Sequence, residues 1–465
     1  ATATLTSPDA LAHLLADRTV ARVVPDQLNT ISLAQSLPLI AQPATAIEGK
    51  DGTGTAVAVL DTGADYHVAD LGSCTAPNTP ASCRVAWAQD FATQDNVLDD
   101  TGKHGTNVSS IVASVAPGTK FSALDVFDGQ AGYDSTNINA IYWVIAKRAT
   151  YNIVAMNLSL GGGSYTAPCD GSAIAIAVDE ERRVGVLAAI ATGNSAKTNA
   201  LSSPACASAA VSVGAVYDSN VGALNSAVCS DATTAADKVT CFSNSASFFT
   251  LLAPGAFIAA GGVSMAGTSQ ATPHVAGALA VLRGAFPGET MDEVVTRLTA
   301  SGTPITDARN GIVKPRLDLH AAAAGCVFKL TPATRTVTSA DSTFELTLTT
   351  TSSCAWSIAS NQSWLTVTSP TAGTGSATIT AHADLNVGAV RSGTLTISGA
   401  ASSVTAAVTQ GIDTTPPTGT LLINDGDALT RTLTAALTIS GADASGVTSM
   451  CVTNTTTCTA YEPFA

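Results

Sequence analysis

Three short stretches lie far apart in the chain, and together they constrain its fold more than any other feature. The tightest is Gly267-Thr268-Ser269-Gln270-Ala271-Thr272-Pro273-His274-Val275-Ala276-Gly277. Its small residues make a turn that delivers Ser269 where a helix begins, and Ala276 to Leu282 carries that helix on as an apolar run. A hydroxyl at a helix N-terminus faces unpaired backbone N–H groups and the positive end of the dipole, so an oxyanion formed beside it is stabilised. A lone serine at such a point is ordinarily an N-cap. Two earlier stretches change that. Ala56-Val57-Ala58-Val59-Leu60-Asp61-Thr62-Gly63 is a buried-strand run ending in an acid and a glycine turn, which puts a carboxylate at the carboxyl edge of a sheet. His104-Gly105-Thr106 precedes Val108, Ile111, Val112 and Val115 at helical spacing, which sets His104 at the start of a second helix. An acid to orient an imidazole, a histidine to take a proton and a serine to attack are the parts of a nucleophilic triad. Any long chain contains an Asp, a His and a Ser; the local contexts supply the specificity.

Between His104 and Ser269 the pattern alternates. Phe121 to Val126, Ile153 to Leu158 and Val184 to Ala191 read as strands; Ile138 to Lys147 and Ala173 to Arg183 read as helices. Tyr142 and Trp143 read as core. This alternation predicts an α/β fold, a mostly parallel sheet with helices on both faces. Active sites in such sheets gather at the carboxyl ends of the strands, where Asp61 is expected.

Asp61-Thr62-Gly63, His104-Gly105-Thr106 and Gly267 to His274 resemble the matching pieces of the subtilisin-like serine proteases, or subtilases, in that family's order. The resemblance spans roughly Ala34 to Ala324. It implies a subtilisin-like fold and peptide-bond hydrolysis, with Ser269 as nucleophile, His104 as base and Asp61 orienting His104. Asn157-Leu158-Ser159-Leu160-Gly161-Gly162 resembles the segment that binds the substrate backbone as an added strand, making Ser159, Leu160 and Gly161 substrate-binding candidates. Ala191-Thr192-Gly193-Asn194 resembles the segment bearing the oxyanion-hole amide, with Thr192 and Gly193 beside the substrate and Asn194 as donor. Taken alone, each of these two segments reads as an ordinary turn. Asn107 stands where many subtilases carry a second histidine. Gln35 and Asp70 match two ligands of a family calcium site, but Ser114-Val115-Ala116-Pro117-Gly118 runs straight on where the loop supplying the rest would be inserted. No calcium and no other cofactor is therefore expected. Asp61, Asp65 and Asp70 read as solvated acids and not as a metal cluster, since a hard cation needs six to eight oxygens. His274 lies in the same helix as Ser269 and cannot swing back to its N-terminus, so it reads as a packing histidine; His67 and His13 carry no motif.

The chain has 465 residues, 46% of them apolar, enough for cores in about three domains. Lys and Arg number 21 against 35 Asp and Glu, a net charge of −14, which offers no basic stripe for nucleic acid. No run of 18 apolar residues is present, so no membrane span is expected. The ten cysteines lack any CxxC spacing, which argues against zinc. They fall into local pairs: Cys74 with Cys83, Cys169 with Cys206, Cys229 with Cys241, Cys326 with Cys354, and Cys451 with Cys458. Proximity alone suggests that pairing; disulfides would point to an oxidising, extracellular compartment.

Residues 1–33, with a short helix and the strand Ala21-Arg22-Val23-Val24-Pro25-Asp26, resemble the end of an inhibitory subtilase propeptide, and cleavage is expected near Thr30 to Ala34. The alternative is an ordinary N-terminal extension. After the peptidase unit, 34–324, composition shifts to Thr, Ser and Ala with alternating apolar positions. Residues 325–412 resemble a BACON-type Ig-like sandwich, through Trp356, Ser363-Trp364-Leu365, Gly373-Thr374-Gly375, Arg391-Ser392-Gly393-Thr394 and Val408-Thr409-Gln410. That implies a glycan-binding role; Trp356 and Trp364 either fill the sandwich core, the expectation here, or stack on sugars. Asp413-Thr414-Thr415-Pro416-Pro417 reads as a linker, and 413–465 as a partial Ig-like domain. Two functions follow: a secreted endopeptidase acting on protein or peptide substrates, with its own propeptide as inhibitor, or an adhesin with a vestigial protease domain.

Overall fold

The computed structural model of the chain describes residues 33–93, 97–99, 102–129, 131–399, 403–443, 446–453 and 457–464. The expected propeptide remnant therefore lies, apart from Leu33, outside the described residues.

Strands β1 (Ala56–Asp61), β2 (Val85–Asp90), β3 (Lys120–Asp125), β4 (Ile153–Leu158), β5 (Leu187–Ala191), β6 (Val211–Val216), β7 (Leu251–Pro254), β8 (Thr303–Thr306) and β9 (Val313–Arg316) form one sheet. Their order is β8-β9-β7-β6-β5-β4-β1-β3-β2. Every neighbouring pair is parallel except β8 with β9. Strands β1, β4, β5 and β6 are buried along their whole length, which is why they read as unbroken apolar runs and not as alternations. Successive side chains still leave the sheet on opposite faces. Val57 and Val59 of β1 join a core with Val108 and Val112 of α1 (His104–Val115) and with the apolar residues of α2 (Thr268–Ala285). Ala56, Ala58 and Leu60 join the opposite core, with Ile141 and Val144 of α3 (Asp134–Tyr151) and Ile174 and Val178 of α4 (Ala173–Arg183). One strand thus feeds two cores.

α3 is longer than the apolar run at its centre. Asp134 adds a carboxylate to its first turn and Arg148 a cation to its last, each favourable to the dipole, and Asn152 ends it in a left-handed conformation at φ 53°. β5 begins later than the apolar pattern suggests because Val184 caps α4 and Gly185, at φ 93°, turns the chain.

All five disulfides join the local pairs expected from spacing. Among the described residues no helix is long and apolar enough to cross a membrane.

After the helix Leu319–Ala322 the chain enters a four-stranded and a five-stranded sheet. Burial alternates along Ser342–Thr349 and Arg391–Ser398, and the inward residues share one core, as in a sandwich. Trp356 and Trp364 are 6% and 9% exposed and belong to that core, with Trp356 Nε1 donating to the Gly375 carbonyl at 2.8 Å. Their rings fill the sandwich and do not present a face to sugars. Arg297 anchors the junction: its guanidinium donates to the Ala324 and Gly325 carbonyls and pairs with Glu289. Further on, Thr418–Ile423 pairs antiparallel with Leu437–Ala442.

Candidate active site

β1 ends at Asp61, which is wholly buried, and α1 begins at His104. His104 Nδ1 lies 2.6 Å from Asp61 Oδ1, the same oxygen that accepts the Thr62 N–H at 2.9 Å. A Cβ at Gly105 would sit 2.0 Å from the Gly63 carbonyl oxygen, so only glycine lets α1 start this close to the end of β1. The Asp61 charge raises the His104 pKa above its ordinary 6.5, against burial, which pushes it down.

Asp99 was not singled out by the sequence patterns. Its carboxylate accepts from the Thr62 hydroxyl at 2.7 Å, from the Thr106 N–H at 2.8 Å and from the Thr106 hydroxyl. It therefore ties the residue after Asp61 to the first turn of the His104 helix. A signal existed: a threonine follows each of the two residues closely, and an acid stands shortly before His104.

Ser269 is the second residue of α2. Its hydroxyl donates to the Ser159 carbonyl at 3.1 Å, and among the described residues that carbonyl, and not His104, is its partner. Hydrogen bonds between nucleophile and base are often loose before substrate arrives. Pro273 explains the return contact. It has no N–H to give the carbonyl four residues back, and the freed Ser269 carbonyl accepts from the Ser159 hydroxyl at 2.7 Å. The helix is thereby pinned to the end of β4.

Asn194 follows β5. Its Oδ1 accepts from the Thr268 N–H at 2.8 Å and from the Thr268 hydroxyl at 3.0 Å, which fixes the amide plane. A Cβ at Gly267 would lie 3.1 Å from Asn194 Nδ2, so glycine there leaves that N–H group room. The Gly193 N–H is spent on the Thr268 hydroxyl at 3.1 Å. Ser159, Leu160, Gly161, Gly193, Asn194 and Ser269 line one cavity of about 550 Å³. Thr192 does not. It is buried, its hydroxyl donates to the Asn244 carbonyl at 3.0 Å and its N–H to the Val213 carbonyl, so it anchors the strand end and leaves the cavity wall to Gly193.

Asn107 links the two helices. Its Nδ2 donates to the carbonyls of Ala260 at 3.0 Å and Val263 at 3.1 Å, and its Oδ1 accepts from Gln270 Nε2 at 3.1 Å. Asn107 and Gln270 are both buried, one three residues after His104 and the other next to Ser269. Asn107→Ala leaves buried polar groups unpaired on three segments and should lower unfolding free energy by about 2–3 kcal/mol. Denaturant titration checks it; a change under about 0.5 kcal/mol would show the network to be unimportant.

His274 is wholly buried, its Nδ1–H donates to the Gln270 carbonyl at 2.8 Å, and burial lowers its pKa to about 4. It packs in the core as expected. His67 pairs with Asp65 at the surface, and His13 lies outside the described residues. Of the residues matching the family calcium site, Asp70 Oδ2 accepts the Gly261 N–H at 2.9 Å and Gln35 Oε1 the Ser219 hydroxyl at 3.3 Å.

A doubly covered parallel sheet, a buried aspartate against a histidine, and a serine at the N-terminus of the central buried helix define a serine endopeptidase. Residues 52–318, more than half of the chain, match the subtilase family, and the chain belongs to that family. Residues 355–411 match the BACON family. Subtilisin E of Bacillus subtilis (strain 168) is 32% identical over 317 residues, covering 63% of this chain and 73% of that protein. Subtilisin of Bacillus pumilus is 31% identical, covering 58% of this chain and 93% of its own. An extracellular serine proteinase of Thermus sp. (strain Rt41A) is 30% identical over 51% of this chain and 55% of its own.

Proposed function

We propose that the chain is a secreted endopeptidase working through an acyl-enzyme, with Ser269, His104 and Asp61 as its triad and the peptidase unit over 34–324. Ser269 Oγ attacks the scissile carbonyl while His104 Nε2 takes its proton. Asp61 holds the Nδ1–H tautomer and stabilises the imidazolium that results. The tetrahedral oxyanion accepts from Asn194 Nδ2 and the Ser269 N–H at the start of α2. His104 then returns the proton to the leaving amine, and water repeats the sequence on the acyl-enzyme. The observation that carries this is the 2.6 Å contact between His104 and buried Asp61, at the ends of α1 and β1, which share one core with α2, the helix that carries Ser269. A fluorophosphonate should label Ser269 covalently, found by peptide mapping. An unlabelled Ser269 in folded protein would instead favour the adhesin with a vestigial protease domain.

The pH dependence has a definite sign. His104 acts as a base only when neutral, and Asp61 raises its pKa. The acid limb of kcat/KM should therefore have its midpoint above 6.5, the ordinary histidine value, with activity gained as pH rises through it. A midpoint below 6.5 would rule out the Asp61 pairing as the dominant influence.

Secretion is supported by the five disulfides and by one relative whose name describes an extracellular enzyme. Inhibition by the segment before Ala34 rests on its resemblance to subtilase propeptides. N-terminal sequencing of protein matured from its precursor tests it, with a start well before Thr30 as the contrary result. Glycan binding by 325–412 rests on resemblance too, and would need a surface other than Trp356 and Trp364.

A further inference from the structure

The cavity that holds Ser269 has a second, chemically different wall. Phe127, Gly132, Asp134 and Asn137 line it, from the chain before α3 and that helix's first turn. Asp134 and Asn137 are three apart on the helix, so their side chains share a face. Asp134 is exposed, and among the described residues that line the cavity its carboxylate is the single formal charge. Asn137 is 3% exposed. Its Nδ2 donates to the Tyr133 carbonyl at 3.0 Å, which fixes the amide, and among the described residues its Oδ1 has no donor. A buried acceptor with no partner is unfavourable, and a donor brought in by an occupant relieves it. The Phe127 ring lies against Gly132, where a Cβ would be 3.1 Å from the ring, and provides a flat apolar surface beside the two acceptors.

We propose that this wall selects a Lys or Arg side chain at one fixed position of the bound peptide, the stem lying along Phe127 and the cation meeting Asp134 and Asn137. Long basic side chains pack their methylenes on apolar surface while the charged head reaches a polar partner. The chain's net charge of −14 attracts the same substrates at longer range. The inference rests on the hydrolytic reading of the cavity and adds the class of residue recognised.

Peptide sets scanned one position at a time test it, comparing Lys, Arg, norleucine and Glu. At a single position Lys and Arg should exceed norleucine by about tenfold in kcat/KM, since an ion pair with added hydrogen bonds exceeds an exposed pair. The ratio should fall with added salt. Asp134→Asn should bring the Lys-to-norleucine ratio to within about twofold of one; the ratio is internal to each protein, so folding yield does not enter. A flat profile at every position in active enzyme overturns the proposal and leaves the Ser269 assignment standing. Calorimetry with the same peptides on the Ser269→Ala chain reads the cavity without turnover. Tighter binding of the Lys peptide supports the proposal there, and equal affinity of Lys and norleucine peptides overturns it even if the hydrolytic reading fails.

Discussion

Ser269→Ala should fold like the parent and hydrolyse peptides about 10⁶-fold more slowly in kcat, the magnitude measured when subtilisin loses its serine. The side chain is half-buried at the second residue of α2, and among the described residues its hydroxyl makes one hydrogen bond, to the Ser159 carbonyl. The Ser269 carbonyl keeps its bond from the Ser159 hydroxyl, so the tie between α2 and β4 survives the substitution. Stability should move by no more than about 1 kcal/mol. His104→Ala should be nearly as damaging, and the double variant no worse than Ser269→Ala alone, because base and nucleophile act as a unit. Single-turnover kinetics on a fluorogenic peptide, with a melting curve on the same sample, reads both quantities. A loss under tenfold, or a double variant whose losses multiply, would remove Ser269 from the chemistry.

The residues proposed for that chemistry stand out in the sequence because each sits where local sequence announces its geometry. β1 ends in an acid and a glycine turn, and the buried run after Ser269 fixes α2. What was hidden is of another kind. Asp99 acts through two threonines whose partners are set by how β1 meets α1, a tertiary fact with no periodicity. Asn107 reads as a departure from the family and becomes intelligible only through the carbonyls of Ala260 and Val263 and through Gln270, far along the chain. Thr192 and Gly193 are adjacent in one motif, yet strand alternation sends the threonine into the core and leaves only the glycine facing the cavity. Pro273 inside a helix signals a break; the helix runs through it because Ser159 takes up the carbonyl that proline leaves free.

Asn194→Leu should lower kcat by about 10²–10³ while leaving KM nearly unchanged, the range found when the corresponding donor of subtilisin is removed. The tetrahedral intermediate carries a full charge that the ground-state carbonyl lacks, so a donor aimed at it acts on the chemical step. The structure adds a stability term, because Asn194 Oδ1 accepts both the backbone N–H and the hydroxyl of Thr268. Leucine leaves that helix-terminal N–H without its acceptor, a loss of about 1–2 kcal/mol, comparable to a missing N-cap. A fall in kcat could then be blamed on a loosened α2. Asn194→Asp separates the two effects. It keeps an oxygen for Thr268 and replaces only the donor, placing a negative charge where the oxyanion must form. Its stability should match the parent, and kcat should fall at least as far as in Asn194→Leu. Equal stability with near-parental kcat in the aspartate variant would mean that Asn194 positions the start of α2 and donates nothing to the transition state.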